Sequence, residues 1–167
     1  MPRTVTMKGS PLTLEGPELK VGQRAPDATL RADLKTDIRL SQGRGKTRIF
    51  SVVPSLDTGV CAEQTRRFNK ELAALPNVDF ITVSCDLPVA QKRFCGAEGI
   101  SERMVTLSDH KDLSFGRAYG TLIPDMRIEC RAVFVVDKDD TLRYVEYVPE
   151  IASHPNYDAI LASARGA

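Results

Sequence analysis

The chain has 167 residues, with 23 basic and 22 acidic side chains and a formal net charge of +1. This length suits one domain over residues 1–167 with one hydrophobic core, and 42% hydrophobic with 27% charged residues excludes wholesale disorder. The balanced charge argues against nucleic-acid binding, and the longest apolar run, residues 132–136, is far below the ~18 residues of a membrane span.

The N-terminal part of the chain predicts a hairpin and short extended pieces. Alternation between Thr4 and Leu14, interrupted by the Gly-Ser-Pro of residues 9–11, predicts a β-hairpin. Residues 28–31 and 37–40 are short extended pieces within a segment punctuated by Gly and Pro. The start of the chain has no apolar signal-peptide core, so we expect a cytoplasmic protein.

The rest of the chain alternates between strand-like and helix-like patterns. Strand-like apolar runs occupy residues 48–53, 78–85, 104–107, 132–137 and 142–148. Helical patterns occupy residues 61–75, 88–95 and 157–164. We expect the second helix to end at Cys95 because Gly96 follows it. A helix between the first two strands predicts a parallel βαβ unit at the sheet centre, and the element order is that of an α/β, thioredoxin-like sandwich.

The loop after the first apolar strand carries the strongest chemical signal. Its sequence is Pro54-Ser-Leu-Asp-Thr-Gly-Val-Cys61, which delivers a cysteine to the first turn of a helix. With Thr58 as the N-cap, Cys61 meets free backbone amides and the positive end of the helix dipole, which favour a reactive thiolate. The alternative is a thiol that only begins the buried stripe shared with Phe68 and Leu72. From the residues alone, the two interpretations carry equal weight.

The remaining cysteines and histidines point to no metal or dithiol motif. The four cysteines include no Cys-x-x-Cys pair, and the chain has enough core residues to fold without a disulfide frame. His110 and His154 lie far from any cysteine pair with metal-ligand spacing. Thiol chemistry at individual cysteines, or four inert buried thiols, are the alternatives that remain.

The string from Pro54 to Cys61 resembles the Pro-x-x-x-Thr-x-x-Cys signature of the peroxiredoxins, and it is similar to that of one subfamily, the atypical 2-Cys thiol peroxidases of bacteria. Further matches follow in order along the chain. They are Asp86-Leu-Pro-Val-Ala-Gln-Lys-Arg-Phe-Cys-Gly-Ala-Glu-Gly99, Ala118-Tyr-Gly120, Arg131-Ala-Val-Phe-Val-Val-Asp137, and Val148-Pro-Glu-Ile151 with Pro155-x-Tyr157. The resemblance covers nearly the whole chain and implies the peroxiredoxin variant of the thioredoxin-like fold, with its N-terminal β-hairpin.

The resemblance also implies roles for individual residues. Cys61 would be the peroxidatic nucleophile, and Cys95 the resolving cysteine that joins it in an intramolecular disulfide. The hydroxyl of Thr58 would lie against the sulfur, Pro54 would keep water from it, and Arg131 would stabilise the developing negative charge. The residues alone would favour an Arg131 whose charge lies in solvent, and they allow Cys95 to be a core cysteine.

Three positions stand outside these roles. Cys85 is expected to be a small buried side chain on the same strand face as Val83. Cys130 precedes Arg131, and because neighbours on a strand point to opposite faces, we expect Cys130 to face away from the site. Val89 departs from the resemblance, since the thiol peroxidases tend to have Phe after the proline of the second helix.

The function implied by the resemblance is a peroxidase that reduces hydrogen peroxide and alkyl hydroperoxides at cysteine, with no metal, haem or flavin. The resemblance also implies thioredoxin as the reductant and a homodimer, with no nucleic-acid or membrane partner. The same cysteines would serve a redox sensor that passes a disulfide to another protein. A general thiol–disulfide oxidoreductase is disfavoured because Cys61 lacks the second cysteine of a Cys-x-x-Cys pair. A purely structural protein is disfavoured by the Pro-Thr-Cys loop.

Overall fold

Eleven β-strands and four α-helices form within residues 2–167, the part of the chain that the computed structural model describes. The strands are β1 (Arg3–Met7), β2 (Ser10–Leu14), β3 (Thr29–Arg31), β4 (Asp37–Arg39), β5 (Thr47–Val52), β6 (Val78–Ser84), β7 (Met104–Ser108), β8 (Leu122–Ile123), β9 (Ile128–Glu129), β10 (Ala132–Val136) and β11 (Leu142–Tyr147). The helices are α1 (Gly59–Glu71), α2 (Pro88–Glu98), α3 (Ser114–Tyr119) and α4 (Tyr157–Gly166). Within this part of the chain, no helix is long and apolar enough to cross a membrane.

A seven-stranded mixed sheet, in the order β11-β10-β5-β6-β7-β3-β4, forms the centre of the molecule. Strands β5 and β6 are parallel and are joined through α1, which confirms the predicted βαβ unit. All six residues of β5 are buried, as expected of a central strand that is covered on both faces. On the other side of β5, β10 is antiparallel and forms a hairpin with β11. The fold is therefore the predicted α/β, thioredoxin-like sandwich.

The two faces of the sheet pack against different cores. One core contains a cluster of aromatic rings from Phe50, Phe115, Tyr119 and Phe134. On the other face, Phe68 of α1 and Ile160 of α4 pack against Ile49 and Val133 of the sheet. Successive side chains of β10 alternate between these cores. This alternation decides which residues near β10 can reach the helix that carries Cys61.

The predicted N-terminal hairpin is formed by β1 and β2, joined at Lys8 and Gly9, which have positive φ angles of 50° and 82°. Glu150, in the segment after β11, fastens this hairpin to the rest of the protein. Its carboxylate accepts hydrogen bonds from the Thr6 hydroxyl and from the backbone amides of Lys8 and Gly9. These hydrogen bonds, that of Thr6 above all, lower the pKa of Glu150 to about 2.

Several predicted helix boundaries are wrong. Helix α1 begins at Gly59, directly after the predicted N-cap Thr58 and two residues before the predicted apolar pattern, and it gives way to a 3-10 turn, Leu72–Ala74, before the predicted end. Helix α2 continues past Cys95 to Glu98. The residue that ends it is Gly99, which adopts the left-handed conformation (φ 63°) and donates its amide to the carbonyl of Cys95. The short α3 and the β8–β9 pair have no counterpart in the predicted elements.

Two buried carboxyl groups, those of Asp109 and Glu129, lie together beside α3. Asp109 accepts hydrogen bonds from the amides of Phe115 and Gly116, and Glu129 accepts one from the Thr121 hydroxyl. A carboxyl oxygen of each group lies within 4.8 Å of the other. Burial raises the pKa of Glu129 well above its ordinary value, and the neighbouring Asp109 raises it further. The fold therefore favours the protonated form of Glu129.

Replacing Glu129 by Gln should flatten the pH dependence of stability. Because its pKa is raised on folding, the folded protein keeps a proton that the unfolded chain releases above its ordinary value of 4.5. The stability contributed by this group is complete below that pH and is lost as the pH rises through the folded-state pKa. The free energy of unfolding is measured by urea unfolding between about pH 5 and 8. In the wild type it should fall as the pH rises, by at most about 1.4 kcal/mol per pH unit, and in Glu129→Gln this fall should be smaller.

Glu150→Gln is the control, because the contribution of Glu150 to stability changes with pH in the opposite direction to that of Glu129. The pKa of Glu150 is lowered on folding, so its contribution is present above 4.5 and is lost as the pH falls toward about 2. Glu150→Gln should alter stability in the acid range and leave the slope at higher pH unchanged. A wild-type slope above about pH 5 that persists in Glu129→Gln would show that a group other than Glu129 causes it.

Candidate active site

Cys61 lies in the first turn of α1, just beyond the carboxyl end of β5. The connecting loop ends at Thr58, an N-cap residue with an extended backbone (φ −127°, ψ 151°), so Cys61 is the third residue of the helix, as predicted. Its side chain is completely buried and packs with Val53 and Leu56. The thiol therefore combines apolar shielding from water with the free amides and positive dipole of a helix N-terminus, which favour an anion.

The loop before α1 is fixed by a carboxylate from the next strand connection. Asp86 accepts hydrogen bonds from the Ser55 hydroxyl (2.7 Å) and the Leu56 amide (2.8 Å). The Thr58 hydroxyl donates to the Ser55 carbonyl oxygen (2.9 Å), and its side chain does not cap the helix. Pro54 is buried at the start of the loop. The loop is thus held at both ends, while the contacts expected of Thr58 and Pro54 with the sulfur stay predictions.

Arg131 supplies the positive charge of the site. It precedes β10, and its 2% exposure excludes the solvent-facing arginine that the residues alone would favour. Its Nη2 donates a hydrogen bond to the sulfur of Cys61 over 3.2 Å. The fold therefore brings a fixed cation against the thiol from 70 positions away in the sequence.

A further residue of the site, Gln64, was not predicted. Its Oε1 accepts a hydrogen bond from Arg131 Nη1 (2.8 Å), and its Nε2 donates one to the hydroxyl of Ser51 (2.7 Å). The Nε of Arg131 donates to the carbonyl oxygen of Ile151 (2.8 Å). One sequence signal could have found Gln64: it lies three residues after Cys61 on the buried stripe of α1, where a polar side chain indicates a buried hydrogen-bond partner.

Tyr157, at the start of α4, is the titratable neighbour of Arg131. Burial raises the pKa of Tyr157 to about 12, although the positive charges of Arg131 and Arg67 oppose this effect. Its hydroxyl lies 2.7 Å from Nδ1 of His154, whose other ring nitrogen lies 3.0 Å from the Glu63 carboxylate. Tyr157 is therefore neutral at physiological pH and does not compete with a thiolate for the guanidinium.

Cys95, the predicted resolving cysteine, is a half-buried free thiol on α2. Burial raises its pKa, and a hydrogen bond with Thr106 partly offsets this effect. The ring of the adjacent Phe94 packs against the apolar residues around Cys61. The buried residues of α2 are Pro88 and Gln91. Most of this eleven-residue helix therefore rests on the surface, with one side chain reaching the site.

An open groove of about 740 Å³ separates the loop of residues 55–57 from α2. Its lining includes the apolar side chains of Leu56, Val89 and Phe94, together with charged groups such as Arg93. Leu56 and Phe94 also belong to the apolar cluster that encloses Cys61. The groove thus adjoins the wall of the apolar cluster around Cys61, which itself does not line the groove.

The other two cysteines lie outside the site. Cys130 is buried in the core on the far face of the sheet from α1, as its alternation with Arg131 predicts. Cys85 is half-buried, and its thiol lies 3.6 Å from a carboxyl oxygen of Glu129, a contact that was not predicted. The ligand atoms of Cys85, Asp109 and Glu129 all lie within 4.8 Å of one another. The trio is therefore a compact polar cluster within the fold, outside the site of Cys61.

Sequence comparisons relate the chain to known proteins. Residues 20–161 match the Redoxin family. The thiol peroxidase of Oceanobacillus iheyensis is 53% identical over 158 residues, which cover 95% of this chain and 96% of that protein. The thiol peroxidase of Bacillus subtilis is 49% identical over 161 residues, which cover 96% of each chain.

Solved structures show the same fold. The crystal structure of a peroxiredoxin-like protein from Aquifex aeolicus superposes with a TM-score of 0.90 and 41% identity, covering 98% of this chain and 96% of that chain. A thiol peroxidase from Chromobacterium violaceum superposes with a TM-score of 0.88 and 21% identity, covering 98% and 95% of the two chains. At 21% identity, the similarity to the Chromobacterium violaceum protein concerns the fold alone.

Replacing Arg131 by Met should slow the alkylation of Cys61. The variant keeps the bulk of the side chain but removes a charge-assisted hydrogen bond worth about 1.5–3 kcal/mol, so we expect a rate roughly 10 to 100 times lower at about pH 7. Iodoacetamide labelling followed by mass spectrometry measures the rate at this one thiol. The control is Arg143→Met, which removes a half-exposed arginine paired with Asp137. Equal rates for Arg131→Met and the control would contradict a role for Arg131.

Proposed function

The chain belongs to the Redoxin family, in which it is a thiol peroxidase, and we propose that Cys61 is the sulfur at which it reduces hydroperoxides. The observation that carries the proposal is the 3.2 Å hydrogen bond from the buried guanidinium of Arg131 to the sulfur of Cys61. A thiol-dependent peroxidase needs a sulfur that is held as a thiolate and kept from water. The helix N-terminus, the cation and the apolar cluster around Cys61 support this assignment.

The environments of the other cysteines support the same choice. Burial raises the pKa of Cys85, of Cys95 and of Cys130. The nearby carboxyl group of Glu129 raises the pKa of Cys85 and of Cys130 further. These three sulfurs are therefore thiols at neutral pH, and a thiol is a far weaker nucleophile than a thiolate.

In the first step, the Cys61 thiolate attacks one oxygen of the hydroperoxide. The S–O bond forms as the O–O bond breaks, so the sulfur is oxidised to a sulfenic acid and the peroxide is reduced. The leaving oxygen departs as hydroxide or alkoxide and takes a proton from solvent to become water or an alcohol. Arg131 stabilises the negative charge as it moves from the sulfur to that oxygen. Hydrogen peroxide and alkyl hydroperoxides are the proposed substrates, since the adjoining groove offers apolar side chains to an alkyl group.

In the second step, the thiol of Cys95 attacks the sulfenic sulfur of Cys61. An S–S bond forms and water leaves, which gives an intramolecular disulfide. Such a bond needs Cα atoms within about 7 Å of each other. We propose that Cys95, a free thiol in this structure, leaves its place beside Thr106 to reach Cys61, and the shallow burial of α2 supports a local unwinding that would release it.

The last step returns both cysteines to the thiol form by thiol–disulfide exchange with a dithiol reductant, which takes up the oxidation as its own disulfide. We take thioredoxin as this reductant, a homodimer as the assembly, and the cytoplasm as the location. These three assignments rest on the resemblance of the motifs to the thiol peroxidases. Reduced thioredoxin is kept available in that compartment, where thiols persist.

Cys61→Ser should abolish peroxide consumption, because a serine hydroxyl of ordinary acidity is a poor nucleophile at neutral pH. Cys85→Ser and Cys130→Ser are the matched controls and should retain most of the activity. The measurement is the consumption of hydrogen peroxide coupled to thioredoxin, its reductase and NADPH. Wild-type turnover by Cys61→Ser, or its loss in either control, would place the nucleophile elsewhere.

Oxidation should loosen α2 and leave the central strands intact. After one equivalent of hydrogen peroxide, hydrogen exchange should become faster at the amides of residues 88–97, while β5 and β6 stay protected, because the disulfide draws Cys95 out of its packed position. Cys95→Ser is the control and should show no such change. Peptide mapping of the oxidised protein should recover one Cys61–Cys95 link. Recovery of an intersubunit Cys61–Cys61 link would contradict the role of Cys95 as the resolving cysteine, while Cys61 would still be the nucleophile.

A further inference from the structure

We propose that Gln64 is a positioning residue, a neutral hydrogen-bond acceptor that holds the Arg131 guanidinium against the Cys61 sulfur and leaves its positive charge available to the thiolate. The inference rests on the proposed function, since it concerns how the nucleophile of that reaction is kept ionised. Gln64 is completely buried in the middle of the site and acts through Arg131.

The side-chain amide of Gln64 has a fixed orientation. Arginine nitrogens can only donate hydrogen bonds, so the amide oxygen faces Arg131, at 2.8 Å from Nη1. The amide nitrogen then faces the Ser51 hydroxyl on β5, at 2.7 Å. A continuous chain of hydrogen bonds therefore runs from the central strand through Gln64 and Arg131 to the sulfur of Cys61.

Helix α1 presents Gln64 and Cys61 on one face, because the two residues are three positions apart. Both terminal nitrogens of the guanidinium are thus bound by the same helix, Nη1 by Gln64 and Nη2 by Cys61. The bond from Nε to the Ile151 carbonyl fixes the third corner of this planar group. Arg131 therefore cannot turn away from the sulfur without losing its bond to Gln64.

The acceptors around Arg131 carry no charge other than that of the sulfur. Within residues 2–167, none of the ion pairs closer than 4.0 Å involves Arg131. Arg48, at the other end of β5, is equally buried at 2% exposure but is paired with the carboxylate of Asp140. The fold thus neutralises one buried arginine and leaves the other for the site.

The titratable groups packed around Arg131 do not neutralise its positive charge. Tyr157 of α4 is neutral, because burial raises its pKa to about 12. His154 lies 2.7 Å from the tyrosine hydroxyl through one ring nitrogen and 3.0 Å from the Glu63 carboxylate through the other. Arg67 of α1 stacks over the Tyr157 ring and adds a second positive charge nearby.

A carboxylate at position 64 would keep the acceptor oxygen but add a negative charge. Two anions would then share one guanidinium in a site shielded from water, where repulsion between them is strong. The thiolate would be disfavoured relative to the thiol. The amide of Gln64 avoids this conflict, because it orients Arg131 without reducing its charge.

The test compares Gln64→Glu and Gln64→Met with Asn69→Asp, a matched control that adds the same charge to α1 farther from the sulfur. Asn69 accepts a hydrogen bond from the Ser101 amide through its side-chain oxygen, which Asp retains. All variants are full-length chains in which the other three cysteines are replaced by serine, so that labelling reports on Cys61 alone.

We expect Gln64→Glu to move the midpoint of the iodoacetamide-alkylation curve upward by about one pH unit. Gln64→Met should slow the reaction of Cys61 with hydrogen peroxide roughly tenfold, because the guanidinium loses an acceptor and its fixed orientation. Asn69→Asp should leave both the alkylation curve and the rate with hydrogen peroxide close to those of the parent chain, which keeps Gln64. Circular dichroism checks folding, and if Gln64→Met unfolds, the nearly isosteric Gln64→Glu decides the question.

Identical curves for Gln64→Glu and Asn69→Asp would overturn the proposal, since the shape and the acceptor are kept and only the added charge beside Arg131 differs. Arg131→Met in the same background separates this inference from the proposed function. If Arg131→Met moves the curve and neither Gln64 variant does, the positioning role fails and the proposed function stands. If Arg131→Met has no effect either, the charge of Arg131 does not stabilise the thiolate. The positioning role of Gln64 and the role of Arg131 in the proposed function are then both wrong.

Discussion

Burial of the Arg131 guanidinium obliges its N–H groups to find acceptors inside the protein, because an unpaired buried charge is costly. Those acceptors come from α1 and from the segment after β11, so the position of one side chain depends on three parts of the fold. Phe68 anchors α1 to the sheet and thereby sets how closely the helix approaches Arg131. The helix N-terminus that favours an anion at Cys61 is a local feature, but the cation that faces it is supplied only by the complete tertiary structure.

The sheet and the site loop could be predicted because their signals are local. Strands β5 and β6 are rich in apolar and β-branched residues, which is typical of strands covered on both faces of a sheet. The N-cap rule placed Cys61 in the first turn from the position of Thr58. Alternation along one strand was enough to put Cys130 on the face opposite to Arg131. The role of Arg131 came from the resemblance, since a strand-end arginine has no local feature that distinguishes a buried guanidinium from an exposed one.

Features that depend on contacts between distant segments could not be predicted. The amides at the start of α3 are held by the carboxylate of Asp109, so this six-residue helix owes its first turn to a side chain outside it. A Cβ at Gly116 would lie 2.9 Å from both carboxyl oxygens of Glu129, and glycine is therefore required at that position. The end of α2 was misplaced for a simpler reason: Gly96 and Gly99 are both candidates, and only Gly99 adopts the left-handed conformation.

The two helices that carry Cys61 and Cys95 differ in how firmly they are packed, and this difference constrains the chemistry. Helix α1 buries five residues, whereas α2 buries two. One of these is Gln91, whose amide nitrogen donates to Ser84 and to the Leu107 carbonyl while its oxygen has no partner within the described residues. A helix held so lightly opens at a lower free-energy cost than the core. In the proposed mechanism the thiolate depends on a fixed distance to Arg131, so a shift of α1 would weaken the nucleophile. We therefore propose that the movement that brings the two sulfurs together comes from α2.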